Sequence, residues 1–257
     1  MIRRPAWRSA HPLALQFPRE AAASRFLLRL KASGLGPTSA CVYKPLMQAS
    51  LGFSRRGLEN IDVPPHILAC FALKSPTFFA GAHVRAGRYL SASDRSSPRH
   101  WEKLFDSTSL DAVFSLHGCD RAGMDRAAAK VLELAKACRV GAREFVAPER
   151  IDTPPENEAP APDAAWVHFG YRDGLSRTAI LGWTSEERLH QYKLRSRHAA
   201  GEFVLGHPQD SGANPWIAGP GVRVWPEAVR GFFFNGSFGV PHQIEQDVGG
   251  LDKFVED

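Results

Sequence analysis

Hydrophobic and polar positions along the chain follow two periods, and the change from one to the other divides it into elements. Residues 25–31 (RFLLRLK) alternate. Phe26, Leu28 and Leu30 fall on one face, and Arg25, Arg29 and Lys31 share the other with Leu27, which predicts a half-buried strand. Residues 32–45 are broken by Gly34, Gly36, Pro37 and Pro45 and predict no regular element. Residues 47–53 (MQASLGF) predict a second strand that leads into a short helix over 54–60. Residues 61–100, rich in Pro, Gly, Ser and Arg, read as irregular loop. Residues 111–117 (DAVFSLH) predict a strand with Phe114 and Leu116 inward. Asp120 is placed to cap a helix over 121–138, whose buried stripe is Met124, Ala128, Val131, Ala135 and Cys138. Gly141 is expected to stop that helix, and 143–147 (REFVA) to form a short strand.

The remainder is less regular. Residues 152–165 (DTPPENEAPAPDAA) read as a Pro/Ala/acid linker. After it the pattern predicts a polar helix near 185–198, an apolar strand at 202–205 and a long loop carrying Asn214-Pro215 and Gly219-Pro220-Gly221. A strand or turn at 231–240 and an amphipathic helix over 244–257 complete the chain. The order strand, broken segment, strand, loop, strand, helix, strand resembles a ferredoxin-like α+β unit. Four segments are expected: a disordered N-terminal extension at 1–24, a ferredoxin-like domain at 25–150, a linker and loop region at 151–230, and the beginning of a second ferredoxin-like domain at 231–257. That incomplete second domain would expose Phe232, Phe233 and Phe234, so self-association into a homo-oligomer is expected.

Composition supports a folded core: 44% of the 257 residues are hydrophobic and 23% are charged. The net charge of +5 does not point to nucleic acid, because the arginines are scattered and not interleaved with aromatics as a strand-binding groove requires. Cys41, Cys70, Cys119 and Cys138 make no C-x-x-C pair and no zinc spacing, and read as free buried thiols in a reducing, cytoplasmic setting. No run of 18 apolar residues exists to span a membrane. The arginine-rich start (Arg3, Arg4, Arg8, Arg19 and Arg25 against the single acid Glu20) leaves a targeting role open.

Candidate chemistry lies in Gly170-Tyr171-Arg172-Asp173-Gly174, a G-x-x-D-G pattern that by itself could be an ordinary turn. Its flanks add to it: GFSRRGL at 52–58, PRHWE at 98–102, FSLHG at 114–118, HFGYRDGLS at 168–176, GEFVLGHP at 201–208 and NGSF…IEQDV at 235–248. In that order the series resembles the dye-decolourising (DyP-type) haem peroxidases over residues 25–257. The resemblance implies an α+β protein of two ferredoxin-like domains (dimeric α/β barrel-like) around haem b, here a truncated form with its second domain incomplete. It implies reduction of hydrogen peroxide and oxidation of dyes, phenols or another organic electron donor. It makes Asp173 the distal acid, with Gly170, Arg172, Gly174, Ser176 and His242 around the cofactor. A carboxylate at that position can carry a proton from peroxide to the departing oxygen. Its affinity for the proton would be set by burial against nearby cations such as Arg172 or Arg177.

The chain departs from the family pattern at several places. Arg177-Thr178 stands where the family has Pro or Gln-Pro, and His242, after Pro241, stands where it has an Arg toward the haem propionates. The resemblance places the axial His and distal Arg in the second domain, beyond Asp257, and assigns no metal ligand to any position here. His168, on the same short loop as Asp173, reads as a local hydrogen-bonding residue rather than an axial ligand. Three readings follow: a dye-decolourising-type peroxidase, a haem-free, catalytically inactive relative acting as a binding or interaction module, or, on fold analogy alone, a small-molecule binder using the ferredoxin-like sheet as a pocket.

Overall fold

The computed structural model describes residues 9–18, 20–37, 47–89, 97–101, 109–118, 120–144, 165–166, 172–173, 178–184, 196–218, 224–241 and 247–256. Its centre is a four-stranded sheet of β1 (Ser9–Gln16), β2 (Met47–Phe53), β3 (Ala112–Gly118) and β4 (Gly141–Glu144), in the order β2-β3-β1-β4. Every pairing in it is antiparallel. With α1 (Glu20–Ala32) between β1 and β2 and α6 (Arg121–Cys138) between β3 and β4, this is the ferredoxin-like arrangement. The register sets Leu13 against Phe114 and Phe114 against Leu51, so one face of the sheet is apolar. That face buries Leu13, Leu15, Phe114 and Leu116 against Phe26 and Leu30 of α1 and Val131 and Ala135 of α6. The opposite face carries smaller side chains, among them Pro12 opposite Ser115 and Ser115 opposite Ser50.

Two elements near the N-terminus differ from the sequence expectation. Residues 9–16, placed in a disordered extension, form the inner strand β1, with Leu13, Ala14 and Leu15 buried. Residues 25–31, read as a strand, lie inside α1. Phe26 and Leu30 are buried under either period, so Leu28 discriminates. A strand would bury it with them, and it is 69% exposed, whereas Ala23, Phe26 and Leu30 at helical spacing are all buried. The missing first strand is thereby supplied by the preceding segment.

The strand at 47–53 and the short helix after it form as expected. Ser54 caps α2 (Arg55–Asn60) by accepting from the Gly57 N–H. The stretch 61–100, read as loop, instead holds three helices: α3 (Pro65–Lys74), α4 (Pro76–Ala80) and α5 (Ala82–Tyr89). Pro65 and Pro76 open α3 and α4 at their first turns, where a missing N–H costs nothing, so prolines that looked like breakers are starters. The stripe predicted for α6 is buried at all its positions, from Met124 to Cys138. The helix stops at Arg139, in the left-handed conformation at φ 60°, rather than at Gly141, which opens β4 two residues earlier than expected.

Beyond residue 164 the differences are larger. Of the linker expected over 152–165 only Ala165 is described, and it opens a short strand (Ala165–Trp166), while the helix expected over 185–198 lies outside the described residues up to 195. Residues 196–198, the end of that expected helix, form strand β8 (Ser196–His198), parallel to β7 (Thr178–Ile180). The strand expected at 202–205 is a 3₁₀ turn (Ala200–Glu202) followed by loop. The strand or turn expected at 231–240 begins as helix α7 (Glu227–Phe233). Phe233 is buried rather than exposed, because α7 turns it into a second core with Leu58, Phe71, Trp216 and Trp225, while Phe234 is 54% exposed. The surface argument for self-association therefore loses Phe233. Helix α8 (Val248–Glu256) forms inside the predicted 244–257.

Phe71 is the hub of the second core. Its ring stacks on Phe78 at 4.8 Å and meets Phe79, Trp216 and Phe233 edge-on at 5.4, 6.1 and 5.5 Å. Such pairs add about 0.5–1.5 kcal/mol each beyond the area they bury. This core joins α2 and α3 to Trp216, Trp225 and α7, elements far apart in sequence.

Candidate functional site

The G-x-x-D-G segment is built on a short antiparallel ladder. Strands β5 (Ala165–Trp166) and β6 (Arg172–Asp173) pair with Ala165 opposite Asp173 and Trp166 opposite Arg172. Asp173 is thus a residue of a two-residue antiparallel strand, opposite Ala165. His168, Gly170, Gly174, Ser176 and His242 lie outside the described residues, and of Arg172 and Asp173 the backbone pairing is what is described.

Other segments of the resemblance are brought together in pairs. GFSRRGL at 52–58 closes on the start of β3 through Asp111, a fully buried carboxylate. The Phe17 N–H donates to Asp111 Oδ2 at 2.5 Å and the Asn60 amide to Oδ1 at 3.0 Å, while Arg56 Nε lies 3.3 Å from Oδ1. Ser54 adds two bonds, its N–H to the Asp111 carbonyl at 2.9 Å and its hydroxyl to the Leu110 carbonyl at 2.6 Å. Gly57 is required by close approach: a Cβ there would stand 1.8 Å from the Asp111 carbonyl oxygen. The segment therefore spells a capping serine, a counter-charge and a glycine, all serving one buried acid.

GEFVLGHP at 201–208 and NGSF at 235–238 are likewise stitched together. Leu205 N–H donates to the Gly236 carbonyl at 2.8 Å, and Asn235 N–H donates back to the Leu205 carbonyl at 3.1 Å. Ser237 Oγ donates to the Phe203 carbonyl at 2.8 Å, and His207 Nε2 meets Asn235 Oδ1 at 2.8 Å. Gly206 takes φ +82° with Phe234 packed over it, leaving no room for a side chain. Beside this pair lies a polar chain. His198 Nδ1 meets Asp210 Oδ2 at 2.5 Å, His198 Nε2 meets Ser196 Oγ at 2.8 Å, and the Ala199 N–H donates to Asp210 Oδ1 at 2.5 Å. The Ala199 N–H, then the His198 ring, hold the Asp210 carboxyl below its ordinary range. On β3, burial pushes the His117 imidazole below its ordinary value.

Among the described residues no group of three or more His, Cys, Asp and Glu side chains could hold a metal ion. A haem iron asks for less, a single imidazole with one ring nitrogen available. His11 is bonded to Asp125, His100 to Arg99, His207 to Asn235, and His198 at both nitrogens. His117 has interactions of its own, and His66 and His83 are exposed on α3 and α5. Bonding at both ring nitrogens thus disfavours His198 as an axial ligand, while His11, His100 and His207 each engage one nitrogen.

Sequence reasoning missed Asp111, Ser196, His198 and Asp210. Asp111 was read as an ordinary strand residue because its partners Phe17, Arg56 and Asn60 come from distant elements. His198 and Asp210 are joined by a loop that carries no spacing motif.

No family model matches the chain, and no curated protein matches it either. Solved structures do. A decolorizing peroxidase (DyP) from Auricularia auricula-judae superposes over 82% of this chain and 43% of its own, with a TM-score of 0.54 at 17% identity. A dye-decolorizing peroxidase whose heme pocket was engineered for asymmetric sulfoxidation gives the same coverage and identity with a TM-score of 0.52. AauDyP complexed with imidazole gives 0.51. The chain spans less than half the length of these proteins, and what it shares with them is the fold.

Proposed function

We propose that this chain, built on the dye-decolorizing peroxidase fold over most of its length, supplies the peroxide-facing side of a haem peroxidase site with Asp173 as the proton carrier. The reading is supported by one observation above the rest. The G-x-x-D-G acid lies in a short antiparallel ladder, within a fold that superposes on dye-decolorizing peroxidases over 82% of the chain. Haem b, when bound, would supply the electron chemistry of peroxide reduction. Its axial ligand would be the histidine that the haem titration identifies.

The task of Asp173 is proton transfer. A carboxylate can accept the proton of an approaching peroxide on one oxygen and return it to the departing oxygen. An organic donor, a dye or a phenol, would then be oxidised.

The test is haem uptake. The purified chain is titrated with haem b and its visible spectrum is recorded. A saturable shift of the Soret band that is lost on replacing a single histidine supports the reading and identifies the ligand. A chain that stays colourless overturns it in favour of a haem-free binding module.

A further inference from the structure

We propose that Ser196, His198 and Asp210 form a nucleophilic relay at which Ser196 takes an acyl group from small aryl esters, at a site separate from the G-x-x-D-G segment.

The geometry is that of a serine activated through an imidazole. Ser196 and His198 are alternate residues of β8 and so share one face of the strand. Ser196 Oγ stands 2.8 Å from His198 Nε2, and His198 Nδ1 stands 2.5 Å from Asp210 Oδ2. The tautomer follows from the partners. Asp210 is an acceptor as a carboxylate, a form favoured by the Ala199 N–H on its other oxygen, so the Nδ1 of a neutral ring carries the proton. That leaves Nε2 as the acceptor for the serine O–H. This is the arrangement needed to remove the hydroxyl proton during attack.

The parts are held by bonds independent of the relay. His198 is fixed through its carbonyl, which accepts from the Leu181 N–H at 2.9 Å, and β8 is pinned to β7 with Thr178 opposite Ser196. Asp210 is fixed at its own N–H, which donates to Glu202 Oε1 at 3.0 Å. The site is open, with the His198 and Asp210 side chains 40% and 44% exposed. Phe203, 41% exposed, presents its ring edge-on to His198 at 6.3 Å and offers an apolar rest for an aryl leaving group.

The step balances without an oxidant. Ser196 Oγ bonds to the ester carbonyl carbon as its proton passes to His198 Nε2. The carbon–oxygen bond to the phenol then breaks, and the phenolate oxygen receives that proton, leaving an ester on Ser196. Water repeats the sequence and releases the carboxylic acid. An open site gives the tetrahedral oxyanion mostly water, and a fixed donor is worth about 10²–10³-fold in rate. Acylation with slow release is therefore the expected behaviour, seen as a burst.

The experiment uses the full chain without haem or peroxide. It is mixed with p-nitrophenyl acetate and, separately, with a fluorophosphonate probe, and the modified residue is mapped by mass spectrometry. The expected result is a near-stoichiometric p-nitrophenolate burst with the adduct on Ser196. Both should be lost in Ser196→Ala, which removes only an exposed hydroxyl, and slowed at least tenfold in Asp210→Asn. A burst of equal size in Ser196→Ala overturns the proposal, as does an adduct confined to lysines or absence of the fluorophosphonate label from wild type.

Discussion

Replacing Asp111 with alanine should cost more stability than any other single acidic substitution among the described residues. Its carboxylate is 0% exposed and receives the Phe17 N–H, the Asn60 amide and the Arg56 guanidinium at 2.5, 3.0 and 3.3 Å. Hydrogen bonds to a charged group contribute about 1.5–3 kcal/mol each, and donors left buried without an acceptor cost about 1–3 kcal/mol apiece. Arg56 is 36% exposed and can turn to water, so its share is discounted and the two remaining donors set the scale. The expected loss is about 3–5 kcal/mol, in line with breaking a buried pair by removing one partner. Asp111→Asn keeps the shape but turns one oxygen into a donor facing a donor whichever way the amide is flipped, for about 2 kcal/mol. Asp120→Ala is the control. Although Asp120 sits at the N-cap of α6, its side chain makes no capping hydrogen bond and is 65% exposed, with Arg126 at 3.8 Å, so it should change stability by no more than about 0.5 kcal/mol. Urea unfolding followed by circular dichroism and tryptophan fluorescence measures all three. A loss below about 1 kcal/mol for Asp111→Ala, or a loss as large for Asp120→Ala, refutes the reasoning.

Further consequences can be checked in the same assay. Gly57→Ala should destabilise by about 3 kcal/mol or more, because its methyl would enter the Asp111 carbonyl and the backbone must move. Phe26→Ala should cost about 3–5 kcal/mol while Leu28→Ala changes little, and equal losses would restore the strand reading of 25–31. Phe71→Ala should cost about 3–5 kcal/mol and quench the fluorescence difference between Trp216 environments on unfolding, and a silent variant would disprove its place at the hub. For pH, the depressed folded value of His117 means that the unfolded chain binds its proton first as pH falls. Wild type should therefore match His117→Gln in pH dependence above the ordinary imidazole value and lose stability faster below it. Parallel curves throughout would remove His117 from the acid response.

The elements legible in the sequence were those whose period is set by one apolar face. The stripe of α6 and the alternation of β3 each have a single solution, and both formed as predicted. The segment 25–31 has two solutions, since Phe26 and Leu30 satisfy period 2 and period 3.6 alike, and only burial of the neighbouring Leu28 could choose. Helices α3 and α4 were hidden by prolines that start rather than stop them, and their apolar content is explained by the distant α7 and Trp216. In the candidate site, the G-x-x-D-G acid is proposed from a local sequence pattern. The Asp111 cluster and the Ser196–His198–Asp210 chain were invisible because each depends on contacts between elements.

The most direct test of the central claim is the peroxide reaction of the haem-loaded chain, compared between wild type and Asp173→Asn. If Asp173 carries the proton, the substitution should leave the Soret spectrum and haem affinity unchanged while slowing peroxide-driven oxidation of a dye by about 10²–10⁴-fold, the range for loss of a general acid–base group. Equal rates in the two proteins at equal haem occupancy would contradict the account.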